Sequence, residues 1–195
     1  MALGPLWWLI RLSKAGNGRA VGVLSIWLLW DCLLARYWQL RWVQPDGFFR
    51  YRIRPHGGPP VSLHDGTVIK KGDPLVELHF DNARLLQRVG AAGWNPWQAL
   101  PLIDADLRRL NRLLQSGELP PVRALYGVTM YAAAGPRVGF EVHPVPHTVG
   151  WELERFYLIG LLPIYHPDGW REFDRMRRNR WPAELWMSRE RLARR

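Results

Sequence analysis

Three residues of this 195-residue chain combine reactive side chains with positions at the ends of expected strands. His79 ends one such strand, and Glu141 and His143 lie together at the end of another. If the two strand ends adjoin, His79, Glu141 and His143 form a metal-binding or acid/base group. A histidine on a strand is also commonly a hydrogen-bonded structural residue, and that alternative stays open.

A fourth candidate, Asp31, lies on the apolar side of an amphipathic helix predicted over residues 21–40. A carboxylate there is costly unless it is paired, so we expect an arginine or backbone amides as its partner. Asp31 is therefore either a structural ion pair that orients the helix or an acid at a site.

A run of alternating residues from Phe49 predicts a strand with Arg50, Arg52 and Arg54 on one face. Like charges in a row repel one another, so they require acidic partners on a neighbouring strand, such as Glu77, or a bound anion. The ligand-binding candidates are these three arginines and Asn82.

The segment Asp65–Asn82 organises the elements around these residues. Asp65-Gly66 and Lys71–Pro74 are turn sequences that flank a short β-branched run. The residues after Pro74 alternate between apolar and polar, which predicts a half-buried strand, and Asn82 is placed at the start of a helix.

The string DG..I.KGD.L.ELH.DN..L in this segment, with Trp30-Asp31, Gly139–Glu141 and Trp186–Arg189, resembles the bacterial YkoP-like domain. That family occurs as a free-standing protein and as a C-terminal appendage of polysaccharide deacetylases. The resemblance covers about residues 24–192 in scattered pieces. It implies an association with polysaccharide-modifying enzymes and supplies no catalytic residues.

The rest of the chain predicts helices over 101–116 and 151–162, an antiparallel pair of strands over 122–134 and 137–143, and a basic helix beginning near Ser188. The expected class is α+β, a small antiparallel sheet packed with four or five helices. The expected organisation is an apolar and basic segment 1–19, a single domain 20–167, and an Arg/Trp-rich extension 168–195 that packs on it.

The composition and the missing motifs limit the kinds of function that this chain can have. A net charge of +10 attracts polyanions, and twelve tryptophans favour membrane interfaces or sugar-binding faces. The chain lacks a GxxxxGK[ST] loop, a GxGxxG turn after a strand and a GxSxG elbow. The single Cys32 excludes an intramolecular disulfide.

We therefore expect a non-enzymatic accessory domain that binds an anionic membrane surface or a glycan, with a polysaccharide deacetylase as a possible partner. The alternatives are a small enzyme centred on His79 and Glu141, and non-specific nucleic-acid binding. The sequence contains no known nucleic-acid-binding motif. No cofactor and no metal ion are predicted. The expected location is the cytoplasm or the inner face of the cytoplasmic membrane, because the apolar runs are short for a span and no cleavage site is apparent.

Overall fold

A computed structural model describes residues 25, 29–30, 32–81, 99–130, 132–145, 148–160, 171, 174 and 182–195 of the chain. Its centre is a six-stranded sheet of order β1-β2-β5-β6-β8-β7, accompanied by a two-stranded hairpin, β3-β4. The strands are β1 Arg41–Trp42, β2 Phe49–Pro55, β3 Val61–Ser62, β4 Val68–Ile69, β5 Pro74–Phe80, β6 Ala124–Thr129, β7 Glu141–Pro144 and β8 Ala183–Ser188.

The helices connect or follow these strands. The helical residues 25, 29–30 and 32–37 constitute α1. The others are α2 Leu100–Gln115, α3 Val149–Gly160, α4 Arg189–Ala193 and a 3-10 helix, Ala132–Val138. In the part of the chain described, no helix combines the length and hydropathy needed to cross a membrane.

The prediction of a small antiparallel sheet packed with four or five helices is wrong. The sheet has six strands and is mixed, because β5 pairs with β6 in parallel while its other pairs are antiparallel. A parallel pair requires a crossover connection, and α2 lies in the segment between β5 and β6.

Strands were predicted over 122–134 and 137–143, and β6 and β7 lie in those parts of the chain, but their predicted pairing with each other is wrong. Residues Ala132–Val138 form the 3-10 helix, which carries the chain away from β6. Strand β8 occupies the position beside β6, and β7 pairs with the other edge of β8. The sequence analysis missed β8, which lies in the proposed C-terminal extension.

The main core lies between one face of the sheet and α2. Helix α2 confirms the helix predicted over 101–116, and Pro101 lies in its first turn. Ile103, Leu107 and Leu110 form its buried stripe. The sheet contributes its alternating apolar side chains, of which Phe49, Tyr51, Val76, Leu78, Leu125 and Met187 are buried. The predicted alternation in β2 is confirmed.

The opposite face of the sheet is partly covered by the β3-β4 hairpin. Leu63 and Ile69 of the hairpin pack on Leu75, Ala124 and Trp186 of the sheet. The predicted Asp65-Gly66 turn is confirmed, with Gly66 at φ 86°. Ser188 donates a hydrogen bond to the Asp65 carboxylate, which ties the turn to the end of β8.

Ser188 also caps α4, because its hydroxyl accepts a hydrogen bond from the Arg191 backbone N–H at 2.9 Å. The predicted basic helix near Ser188 is thus confirmed. The helix expected to begin at Asn82 lies outside the described residues.

A buried carboxylate fixes the loop that leads into β2. Asp106 of α2 is fully buried and accepts hydrogen bonds from the backbone N–H groups of Phe48 and Phe49 at 2.6 and 2.8 Å. The Gln44 side-chain amide donates a third bond at 2.6 Å. A Cβ added to Gly47 would lie 2.2 Å from the Asp106 Oδ1 atom, so the loop can approach this carboxylate only with glycine there.

We predict that Gly47→Ala lowers the free energy of unfolding by about 1–3 kcal/mol, because the added methyl group overlaps a buried, fully bonded carboxylate. Urea denaturation of the full chain measures this change. Gly57→Ala is the matched control, since nothing lies within 4 Å of a Cβ at that position. Equal stabilities of the two variants would contradict this account of the loop.

Candidate functional site

The strand registers place the predicted site residues on one face of the sheet, here called the polar face. One row of paired residues crosses five strands, in the order Arg52, Glu77, Tyr126, Trp186 and Glu141. Paired residues direct their side chains to the same side of a sheet. The polar face is therefore opposite the α2 core.

A second row belongs to the same face. Arg50 of β2 pairs with His79 of β5. Glu184 of β8 pairs with Val128 of β6 on one side and with His143 of β7 on the other. Because these residues lie two positions from the first row on their strands, their side chains point the same way. His79, Glu141 and His143 therefore share a face.

Sharing a face does not bring His79 and Glu141 together. Strands β5 and β7 are separated by β6 and β8, so three strand spacings, roughly 14 Å, lie between them. The two strand ends do not adjoin. Asp31 and Asn82 lie outside the described residues.

Glu141 instead anchors the hairpin at the β7 edge. Its buried carboxylate accepts the His64 backbone N–H at 3.0 Å from both oxygens, and the His64 Nδ1 atom lies 3.2 Å away. His143 Nε2 is 3.7 Å from the same carboxylate, and Arg191 Nη1 is 3.8 Å away. His64 was missed by the sequence analysis, since no pattern connects it with a residue 77 positions later. Among the described residues, no three His, Cys, Asp or Glu side chains form a group that could hold a metal ion.

At the other end of the face, Arg50, Arg52 and Arg54 form an arginine ladder along β2. Arg52 Nε donates to the Glu77 carboxylate at 2.7 Å, and Arg54 donates to the same oxygen. Arg50 forms an ion pair with Asp81, just beyond the end of β5. The predicted pairing of the arginines with Glu77 on a neighbouring strand is confirmed.

Each arginine of the ladder also lies over an aromatic ring. Arg50 lies 4.5 Å from the ring centroid of Trp42, and Arg52 lies 4.5 Å from that of Trp38. Arg54 lies 5.1 Å from the ring centroid of Tyr126. The stacking adds cation–π attraction to the ion pairs and fixes the planes of the guanidinium groups.

Glu77 is the common acceptor of the ladder. Burial by itself would raise the pKa of its carboxyl, but the neighbouring His79, the hydrogen bond from Arg52 and the charge of Arg54 lower that pKa to about 2. His79 Nε2 lies 3.4 Å from the Glu77 carboxylate, and the His79 ring packs on Trp38 at 5.5 Å between centroids. Glu77 is therefore ionised at neutral pH.

Glu184 is a second acceptor on the polar face. The Tyr126 hydroxyl donates to it at 3.2 Å, and the Trp186 Nε1–H donates at 3.1 Å. Burial, together with the Glu184 charge, raises the pKa of Tyr126, so its hydroxyl remains a neutral donor. The alternation of residues 183–188 could have revealed Glu184, had this segment been recognised as a strand.

We predict that Glu77→Gln lowers the free energy of unfolding at neutral pH. In the variant, this free energy should also change less as the pH falls into the acid range. The pKa of Glu77 is 4.5 without the fold and about 2 within it, so its contribution is present above pH 4.5 and is lost as pH falls toward 2. That contribution is at most about 3 kcal/mol. Urea unfolding of both proteins across this pH range measures it. Glu118→Gln, which changes an exposed side chain, is the control. If the free energy of unfolding of Glu77→Gln changed with pH in parallel with that of the native chain, the assignment would be refuted.

Comparison with known proteins identifies the family. Residues 21–195 match the family described as the YkoP domain. A 131-residue stretch is 30% identical to "Uncharacterized protein YkoP" of Bacillus subtilis (strain 168), covering 61% of this chain and 68% of that protein. No solved structure matches the fold significantly. The chain belongs to the YkoP domain family.

Proposed function

We propose that this YkoP domain is a non-enzymatic accessory module that binds a glycan on its polar face and works beside polysaccharide-modifying enzymes of the bacterial envelope. The observation that carries the proposal is the charge balance of the arginine ladder. A polysaccharide deacetylase is the partner class that the family resemblance suggests.

The charge balance favours a neutral ligand over an anion at this position. Arg50 is paired with the carboxylate of Asp81, and Arg52 and Arg54 share that of Glu77. Glu184 supplies a third carboxylate, which accepts a hydrogen bond from Tyr126, the residue whose ring lies under Arg54. A fourth, Glu154 of α3, lies within electrostatic range of Glu77 and His79, and desolvation raises its pKa. Every arginine of the ladder is therefore already paired with a carboxylate, which weakens the attraction it can offer a phosphate or a polyanion.

The polar face instead offers planar groups that suit hydroxyl-rich ligands. Guanidinium edges donate and carboxylate oxygens accept, so a sugar hydroxyl can satisfy either kind of group. The side chains of Arg50, Arg52 and Arg54 are 25%, 23% and 30% exposed, so they are accessible while still held in position. Prepositioned groups of this kind reduce the entropy lost on binding.

The alternative of a small enzyme centred on His79 and Glu141 loses its geometric basis, because the two residues lie three strand spacings apart. Non-specific nucleic-acid binding finds no support in the ladder either, since its arginines are already paired.

We expect neutral hexasaccharides of N-acetylglucosamine or glucose to bind the full chain without being consumed, as measured by isothermal titration calorimetry and chromatography of the recovered sugar. Arg54→Ala should weaken binding about tenfold, the value of one lost hydrogen bond to a charged group. Arg108→Ala is the matched control, because Arg108 also pairs with a carboxylate but lies on α2, across the sheet.

Four results would contradict the proposal. If neither sugar binds, the polar face is not a glycan site. The same conclusion follows if Arg54→Ala and Arg108→Ala weaken sugar binding equally. Cleavage or deacetylation of the sugar would restore the enzyme alternative. Preferential binding of a DNA duplex with steep salt dependence would favour the nucleic-acid alternative.

A further inference from the structure

Helix α1 presents four large apolar side chains to solvent. The exposed fractions are 61% for Leu29, 53% for Trp30, 51% for Leu33 and 80% for Tyr37. These four residues are here called the α1 stripe. The sequence analysis quoted Trp30 only as part of the family pattern and did not single out the other three.

The stripe is one continuous surface. Leu29, Leu33 and Tyr37 follow one another at intervals of four residues, which places them on one side of a helix, and Trp30 adjoins them. Single exposed apolar residues are common on proteins, but four on one helical face form a patch that calls for a partner.

The inner face of α1 is attached to the protein. Leu34, Ala35 and Trp38 are half-buried, and the Trp38 ring contacts both Arg52 and His79 on the polar face. The helix ends in an ordered turn in which the Leu40 N–H bonds to the Ala35 carbonyl at 3.0 Å and Gln39 adopts φ 52°. The stripe is therefore the outer face of a docked helix.

The surroundings of the stripe are basic. Arg36 on α1 and Arg41 at the start of β1 are exposed. Between residues 25 and 44 the sequence contains one acid, Asp31, and the whole chain carries a charge of +10. Tryptophan and tyrosine at a boundary between apolar and basic groups are typical of segments that lie in the headgroup region of a bilayer.

We propose that the α1 stripe docks the protein onto the surface of an anionic lipid bilayer. Leu29, Trp30 and Leu33 enter the boundary between headgroups and acyl chains, with Arg36 and Arg41 near lipid phosphates. The helix lies along the surface. A second copy of the chain is a poorer occupant, because two stripes facing each other would bring together two copies of the same basic rim. This inference is independent of the glycan site, which is assigned to the arginine ladder and not to the outer face of α1.

Co-sedimentation of the full chain with extruded phospholipid vesicles tests the proposal. We expect binding to phosphatidylcholine vesicles that contain roughly 30% phosphatidylglycerol, weaker binding to pure phosphatidylcholine, and a loss of binding in about 0.5 M salt. Leu33→Ser combined with Tyr37→Ser should lower the partition coefficient about tenfold, through the loss of apolar area that enters the bilayer. Val142→Ser is the matched control, because Val142 is an exposed apolar residue on the β7 edge of the sheet.

The double variant should keep the circular dichroism spectrum of the native chain, since both side chains are solvent-exposed. Absence of sedimentation with the anionic vesicles, or an equal loss in the control, would overturn the proposal. A native dimer that becomes monomeric in the double variant, measured by light scattering without lipid, would overturn it in favour of self-association. Sugar binding on the polar face should persist in the double variant, so failure of either proposal can be recognised separately.

Discussion

Three guanidinium groups lie along one face of β2, and the sheet accommodates them because Glu77 on β5 accepts hydrogen bonds from two of them. This arrangement depends on register. A slip of one residue between β2 and β5 would direct Glu77 into the apolar core and Val76 onto the arginines. The buried face and the charged face therefore specify the same pairing, which fixes the position of the ladder relative to the rest of the sheet.

The centre of the sheet is buried on both sides, and this requirement shapes the topology. The consecutive residues Leu75 and Val76 are both fully buried although they point to opposite faces. Helix α2 covers one face and the β3-β4 hairpin covers part of the other. Because α2 crosses over from β5 to β6, these two strands are parallel, and β8 and β7 complete the sheet on the far side.

The polar face and α1 present two chemically different surfaces that share one element. Trp38 stacks on Arg52 and His79, so the aromatic ring that attaches α1 is also part of the ladder. On the polar face, the arginines of the ladder are paired with the carboxylates of Asp81 and Glu77. Around the α1 stripe, Arg36 and Arg41 are exposed to solvent.

The sequence by itself determined the features that depend only on residues close together in the chain. The alternation of β2, the Asp65-Gly66 turn, helix α2 and the helix after Ser188 were all predicted, because backbone periodicity and turn chemistry act within a few residues. The acidic partner of Arg52 was also predicted, since three like charges on one face require a counter-charge nearby.

Tertiary structure alone decided the order of the strands and hence which site residues meet. The insertion of β8 beside β6 depends on packing between residues about 60 positions apart, and no local pattern specifies such a contact. That insertion separates His79 from Glu141 and brings Glu184 to Tyr126. Likewise, the pattern of α1 shows apolar residues on both sides of the helix, and only docking through Trp38 determined which side faces the protein and which is left to solvent.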